Sequence, residues 1–178
     1  MPASTARPDG GTAIPAPFAE ATAVVLPEWI DYNGHMNVGY YHVAFDIASE
    51  SFIELLGFTG EYREAHGITT FALESHLSFL REVKVGDRLR FEARLLDYDY
   101  KRVHYFQQMY HADEGYLAAT YESVSAHVDV AARRTAPMGE ALQARLAAVL
   151  EAHRHLPLAP QVGHVISAHP RGLGPREP

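Results

Sequence analysis

The sequence predicts a single α+β domain. Three observations predict it. Apolar residues recur every three to four positions over 41–56, the signature of a helix burying one face. Four segments between 69 and 130 alternate like β-strands. A second apolar stripe, Leu142, Leu146, Val149 and Leu150, follows near the C-terminal end. One long helix and one antiparallel sheet that must cover it form a two-layer α+β arrangement. A chain of 178 residues is enough for one such domain with a real core and short for two.

Residues 1–20 carry Pro2, Pro8, Pro15 and Pro17 with Gly10 and Gly11, and read as a flexible arm. The folded unit is expected over 21–153. Segment 22–29 is short, apolar and partly β-branched, and reads as a strand. Asp31-Tyr-Asn-Gly-His-Met-Asn37 is rich in turn formers. The long helix carrying Tyr41, Phe45, Ala48, Phe52, Leu55 and Leu56 comes next and is expected to end at Gly57 and Gly60. Strands are expected over 69–81, 88–96, 103–112 and 116–130, with Val85-Gly86-Asp87 and Asp113-Glu-Gly115 as turns. Pro137 precedes the final helix, and the proline-rich stretch 154–178 reads as a loose tail that docks on a neighbour. A sheet with one helix to cover one face exposes its edges unless a second subunit covers them, so a homodimer or homotetramer is expected.

Composition excludes several chemistries. The chain has no cysteine, which removes disulfides, thiolate nucleophiles and Cys-ligated metals. No apolar run reaches the ~18 residues of a membrane span, and the N-terminal stretch lacks the apolar core of a secretory signal, so the expected compartment is the cytoplasm. The formal net charge of −7 argues against a nucleic-acid partner. It also poses a question for any anionic substrate. Eleven histidines invite a metal reading, but they are scattered, and no His-Glu-x-x-His pattern accompanies them. Neither a Gly-x-Ser-x-Gly elbow nor a phosphate-binding glycine loop or dinucleotide fingerprint occurs, so no cofactor is expected.

The informative segment is Trp29-Ile-Asp31-Tyr-Asn33-Gly34-His35-Met-Asn37-Val-Gly-Tyr40. It sets a carboxylate, two carboxamides and an imidazole between a strand and a helix N-terminus. Such a junction offers free backbone N–H groups and a positive dipole end, which can hold a carbonyl oxygen or an oxyanion. Asp31 is placed to face that carbonyl as general base or nucleophile. The competing reading is structural: Asp31, Asn33 or Asn37 caps the helix or forms an Asx turn.

Asp-x-x-Gly-His-x-Asn followed by a tyrosine-bearing helix resembles the hotdog-fold acyl-CoA thioesterases of the 4-hydroxybenzoyl-CoA thioesterase type. The resemblance continues through Leu77-Ser-Phe-Leu-Arg81-Glu82-Val-Lys-Val-Gly86-Asp87 and covers about residues 22–131. It implies a long central helix wrapped by a five-stranded antiparallel sheet, with a C-terminal helix added here, and active sites at a dimer interface. It implies Asp31 as the catalytic carboxylate and the backbone N–H near Asn37 and Val38 as the group that polarises the thioester carbonyl. Many members carry a second Asn where this chain has Val38. Asn33, His35 and Glu82 also resemble residues assigned catalytic parts in plant acyl-ACP thioesterases, so His35 and Glu82 either assist Asp31 or shape the pocket.

At a finer level, Asp31 to Asn37, Met109-Tyr-His-Ala-Asp-Glu-Gly-Tyr-Leu-Ala-Ala-Thr120 and Arg133-Arg-Thr-Ala-Pro137 are similar to the thioesterases associated with L-carnitine dehydrogenase. That similarity implies hydrolysis of betainyl-CoA. A trimethylammonium group favours an aromatic cage. Trp29, Tyr32, Tyr40 and Tyr41 crowd the site in sequence, with Tyr105, Phe106, Tyr110 and Tyr121 on the strands and Glu74 or Asp46 as a carboxylate; the same aromatics also suit plain core packing. Candidate substrate contacts are thus Trp29, Tyr32, Asn33, Gly34, Tyr40, Glu74, Arg81 and Glu82. Arg81, Lys84, Arg88, Lys101, Arg102, Arg133 and Arg134 are candidates for CoA phosphates, from the same or a neighbouring subunit. A general short-chain or aromatic acyl-CoA thioesterase, a non-catalytic acyl-CoA-binding hotdog module and a hotdog hydratase are the alternative functions.

Overall fold

The computed structural model describes residues 13–167. Its elements in chain order are β1 (Thr22–Val24), α1 (Val38–Leu55), α2 (Gly60–His66), β2 (Ile68–Phe79), β3 (Arg88–Tyr98), β4 (Arg102–His111), β5 (Leu117–Asp129), β6 (Arg134–Thr135) and α3 (Glu140–His153). The spacing of Tyr41, Ala44, Phe45, Ala48, Phe52 and Ile53 puts one face of α1 in the core, where Phe45 and Phe52 are completely buried. Burying side chains of that size contributes roughly 1.5–3 kcal/mol each.

All pairings in the sheet are antiparallel, in the order β1-β3-β4-β5-β2, with the two-residue β6 continuing along β5. Period-2 alternation decides what each face meets. In β4, Val103, Tyr105 and Met109 enter the core under α1, while Phe106, Gln108 and Tyr110 face the other way. Register shifts between Ala72 and Glu74, Leu95 and Asp97, and Met109 and Tyr110 interrupt the ladders. Such irregularities bend a strand and raise its twist, which curls the sheet around the helix. The expected hotdog arrangement is therefore present: a long central helix, a curled sheet of five main strands and a C-terminal helix.

Several local expectations differ from the structure. The strand expected over 22–29 stops at Val24, and Pro27–Trp29 forms a 3₁₀ turn. Pro27 lacks the N–H that a ladder needs and suits the first turn of a helix. The helix α2 was not expected. It has no buried residue and therefore no apolar period, but its caps are in the sequence: the Thr59 hydroxyl accepts from the Tyr62 N–H at 3.1 Å, and Gly67 closes it at φ 62°. Between α1 and α2, Gly57 sits at φ 105°, and a Cβ there would lie 2.8 Å from Leu142 Cδ1, so α3 packs directly on this glycine.

The outer face of the sheet is covered by the chain itself. The segment after α3, expected to be a loose tail, crosses that face as far as Val165. Leu156 to Gln161 run beside Phe106, which is 1% exposed though it lies outside the helix-side core. Arg94, on β3, is the anchor: its guanidinium donates to the carbonyls of His153, Leu156 and Pro157 at 2.8–3.1 Å. Further along, the Gly163 N–H donates to Glu122 at 2.7 Å. At the other end, Phe18, inside the expected flexible arm, is buried and pairs with Ala93. The remainder of both expected termini, 1–12 and 168–178, lies outside the described residues.

His153 joins these pieces. It is fully buried; its Nδ1 accepts from the Leu95 N–H at 3.0 Å and its Nε2 lies 2.9 Å from the Pro15 carbonyl. The imidazole is thus neutral, with its proton on Nε2. Burial pushes its pKa down, and the neighbouring Arg94 charge adds to that, against the opposing pull of the Pro15 carbonyl. The unfolded chain therefore takes up this proton first as pH falls, so the contribution of His153 is full above about pH 6.5 and shrinks below it. Chemical denaturation at pH 7.5 and 5.5 should show the wild type losing stability on acidification. His153→Asn, less stable at pH 7.5, should lose less over the same interval. An equal loss in both would assign the effect to another group.

Candidate active site

The site begins with a short loop closed on itself. Ile30 and Met36 form an antiparallel bridge, the Asp31 N–H donates to the His35 carbonyl at 3.1 Å, and the Gly34 N–H donates to the Asp31 carbonyl at 3.0 Å. Gly34 takes φ 82°, which a side chain would resist. The Asp31 carboxylate accepts from the Asn33 N–H through Oδ1 at 2.8 Å. This is the Asx turn of the structural reading. It also fixes the orientation of the carboxylate.

Two bonds aim the loop at the helix. The Met36 N–H donates to the Val83 carbonyl, and the Asn37 N–H to the Trp29 carbonyl, both at 2.9 Å. Met36 and Val83 are buried, so this tie is shielded from water. Asn37 is the N-cap of α1, and its Oδ1 accepts from the Gly39 N–H at 3.0 Å. The Tyr40 N–H is taken by the Asn37 carbonyl at 2.9 Å. Val38 is the first helical residue, and among the described residues its N–H has no acceptor. A free donor at the positive end of a helix of 18 residues is a place for a carbonyl oxygen that gains negative charge.

That N–H opens beside a cleft of about 360 Å³ lined by His35, Met36, Val38, Tyr41, Phe79, Leu80, Arg81 and Glu82. Tyr41 is 5% exposed and meets Phe79 edge-on at 5.2 Å. Burial pushes its hydroxyl pKa up, with smaller rises from Tyr116, Glu82 and Asp87 against a lowering by the Val83 backbone, so it remains a neutral donor. Arg81 lies over the Tyr116 ring at 3.8 Å and reaches Glu114 at 3.5 Å. Glu82 pairs with Lys84 at 3.5 Å, and its carbonyl accepts from the Tyr116 hydroxyl at 2.9 Å.

The structure thus brings His35, Val38, Arg81 and Glu82 to one cleft, with Asp31, Asn33, Gly34 and Asn37 in the loop that borders it. Trp29 is buried and stacked on Tyr40 at 5.8 Å, whereas Tyr32 is 97% exposed. Tyr105 and Tyr121 are core residues packed about α1, and Phe106 and Tyr110 lie across the sheet from it. Asp46 is exposed on α1. Glu74 borders a different cleft, with His76, His104 and Glu122. The reading from sequence missed Phe79 and Leu80 as walls, although both lie within the Leu77 to Asp87 motif.

Comparison with known proteins gives the family. Residues 25–146 match the model of the thioesterase-like superfamily. The chain belongs to that superfamily. Betainyl-CoA thioesterase of Pseudomonas aeruginosa is 40% identical over 146 residues, covering 82% of this chain and 92% of that protein. An L-carnitine dehydrogenase/betainyl-CoA thioesterase of Rhizobium meliloti is 34% identical over 128 residues, 72% of this chain but 26% of that longer protein. A Staphylococcus aureus protein solved in complex with CoA superposes with a TM-score of 0.77 at 29% identity, covering 85% of this chain and 96% of that one. Thioesterases hydrolyse thioesters.

Two substitutions separate chemistry from folding. Asp31→Asn keeps an oxygen to accept the Asn33 N–H, so it should fold normally while acyl-CoA hydrolysis falls by about 10²–10⁴-fold. Val38→Pro removes the donor at a position that suits proline, because Asn37 already has the extended backbone (φ −65°, ψ 144°) that proline demands of its predecessor. It should keep its melting temperature and lose about 10²–10³-fold in kcat, measured by thiol release.

Proposed function

We propose that this chain hydrolyses betainyl-CoA to glycine betaine and CoA. The observation that carries the reading is the unengaged Val38 N–H at the start of α1, a residue on the wall of the His35–Glu82 cleft and at the end of the loop that carries Asp31. The thioester carbonyl oxygen accepts from that N–H, which stabilises the negative charge of the tetrahedral intermediate. Asp31 takes a proton from water as it adds to the carbonyl carbon, or adds directly and is released by water in a second step. Either route breaks the C–S bond, and the thiolate leaves to take up a proton as CoA. His35 and Glu82 border the cleft, within reach of the leaving group or the acyl head.

The likeness to betainyl-CoA thioesterases along most of the chain supports the cationic substrate. So does the local chemistry: Tyr41 and Phe79 supply aromatic surface, Glu82 supplies a carboxylate, and the Trp29–Tyr40 stack stands behind the loop. Met36 and Leu80 favour a neutral short acyl group as the competing substrate. A thiol-release panel with betainyl-CoA, acetyl-CoA, butyryl-CoA and 4-hydroxybenzoyl-CoA should give the highest kcat/KM for betainyl-CoA. A preference for the neutral members would leave an acyl-CoA thioesterase without the cation specificity, and binding without turnover would leave a non-catalytic module.

We also infer that the working unit holds at least two copies. β2 is an edge strand of 12 residues on which Phe71, Leu73 and Phe79 are 44–55% exposed, with Val43 and Ile47 exposed on α1. A long edge whose exposed residues are mainly apolar, with Glu74 as its one acid, is best covered by a partner, and a second copy of the same strand is self-complementary. Sedimentation should give the mass of two or four chains. Phe71→Lys combined with Leu73→Glu should give monomers with little activity; monomeric wild-type protein at full activity would overturn the inference.

A further inference from the structure

We propose that the cavity between the outer face of the sheet and the segment after α3 is a second binding site for a small hydroxy-carboxylic acid, with the carboxylate on Arg94 and the hydroxyl on Gln161. The cavity measures about 450 Å³, a size that suits a small molecule. One wall is the sheet itself, through Glu92, Arg94, Phe106, Gln108, Tyr110 and Leu117. The opposite wall is the segment from Leu156 to Gln161. No residue lines both this cavity and the His35–Glu82 cleft.

The carboxylate is called for by Arg94. Arg94 is 8% exposed, and three of its N–H groups are spent on carbonyls: Nη1 donates to Leu156 and Pro157, and Nη2 donates to His153. Its Nε has no acceptor among the described residues. Carbonyl groups carry only partial charge, so they hold the guanidinium in place without neutralising it. Burial pushes its pKa down, and no carboxylate acts against that. Glu92, the acid in the same wall, is committed to Arg90. A buried charge without a counter-ion is costly, and a bound anion removes that cost. Nε and Nη2 form the guanidinium edge that pairs with both oxygens of a carboxylate, and one of the two Nη2 N–H groups is still unused.

Gln161 sets the second requirement. The Val162 N–H donates to the Ala159 carbonyl at 3.1 Å, which closes a tight turn with Pro160 and Gln161 at its centre. Proline pre-sets the backbone of such a turn, and the bond from Gly163 to Glu122 pins its far side. Gln161 is thereby fixed in the cavity wall. Its Oε1 is buried and has no donor among the described residues. A ligand hydroxyl would satisfy it, and a plain carboxylate would not. An ammonium group would also donate, but it brings a second positive charge towards Arg94. One orphaned donor on a cation and one orphaned acceptor, in the walls of the same cavity, thus specify a carboxylate and a hydroxyl on one molecule. Phe106, Leu117 and Leu156 leave apolar surface for its carbon chain.

Isothermal titration calorimetry tests the match, with 2-hydroxyhexanoate, 3-hydroxyhexanoate, hexanoate, norleucine and methyl 3-hydroxyhexanoate as probes. Wild-type protein should bind the better hydroxy-acid about fivefold or more tightly than hexanoate or norleucine, and should not bind the methyl ester. Gln161→Leu removes a buried acceptor that has no bond to lose. It should keep the wild-type melting temperature and bind the hydroxy-acid and hexanoate alike. Arg94→Gln should bind none of the carboxylates; if it does not fold, the Gln161→Leu result decides alone. Val38→Pro, altered in the catalytic cleft, should bind the hydroxy-acid as the wild type does. The proposal is overturned if no probe binds, if hexanoate, norleucine or the ester equals the hydroxy-acids, or if Gln161→Leu keeps the preference. Weaker binding by Val38→Pro would move the ligand to the catalytic cleft and overturn it equally. None of these outcomes bears on acyl-CoA hydrolysis, which thiol release measures separately.

Discussion

The fold depends on one constraint: an 18-residue helix has a single curled sheet in which to hide its apolar face. Phe45, Phe52, Ala44 and Ala48 require that cover, and Phe91, Leu95, Val103, Tyr105 and Tyr121 supply it. Wrapping the sheet around the helix points the N-terminus of α1 at the turn that follows β2. The Met36–Val83 bond fixes the two together where water cannot compete for it. The same packing that stabilises the domain therefore creates the site. A helix start held against a strand exit leaves the first N–H free, and the capping side chain of Asn37 takes the next one.

The constraint also creates the domain's liabilities. A sheet curled round one helix has an uncovered outer face and an uncovered edge. The outer face is closed by the chain itself, through Phe106, the segment after α3 and a buried arginine. Among the described residues Arg94 makes no ion pair; it is held by three carbonyl groups, and its Nε has no acceptor. Removing one partner from such an arrangement costs more than the contact is worth when formed, because a buried charge is left behind. Among the described residues the edge at β2 has no such cover. Stability and assembly are thus divided between two sides of one sheet.

Electrostatics follow the same division. A net charge of −7 is awkward for a substrate carrying phosphates, yet net charge says little about the field at one place. Most basic side chains are neutralised close to home, as Arg88 is by Asp113 and Arg102 by Asp99. What remains is local, as at Arg94, which has no carboxylate partner among the described residues. The absence of cysteine leaves the proposed hydrolysis to a carboxylate and a backbone N–H.

Much of this was legible in the residues. The three-to-four spacing of α1 and the alternation of β2 to β5 are direct consequences of burying one face, so the sequence determined the layers and their order. The turn-rich Asp31 to Asn37 segment located the site, because those residue types stabilise tight turns and helix caps. Elements that bury nothing, α2 and β6, left no period to read. The aromatics were ambiguous for a related reason: alternation shows that Tyr105 and Phe106 face opposite ways but not which side holds the helix. Only the tertiary structure decided that Glu74 borders another cleft, that Phe79 and Leu80 line the candidate site, and that the tail lies on the sheet. Those facts depend on strand register and chain crossing, long-range contacts whose energies are shared among residues far apart in sequence and written in no local pattern.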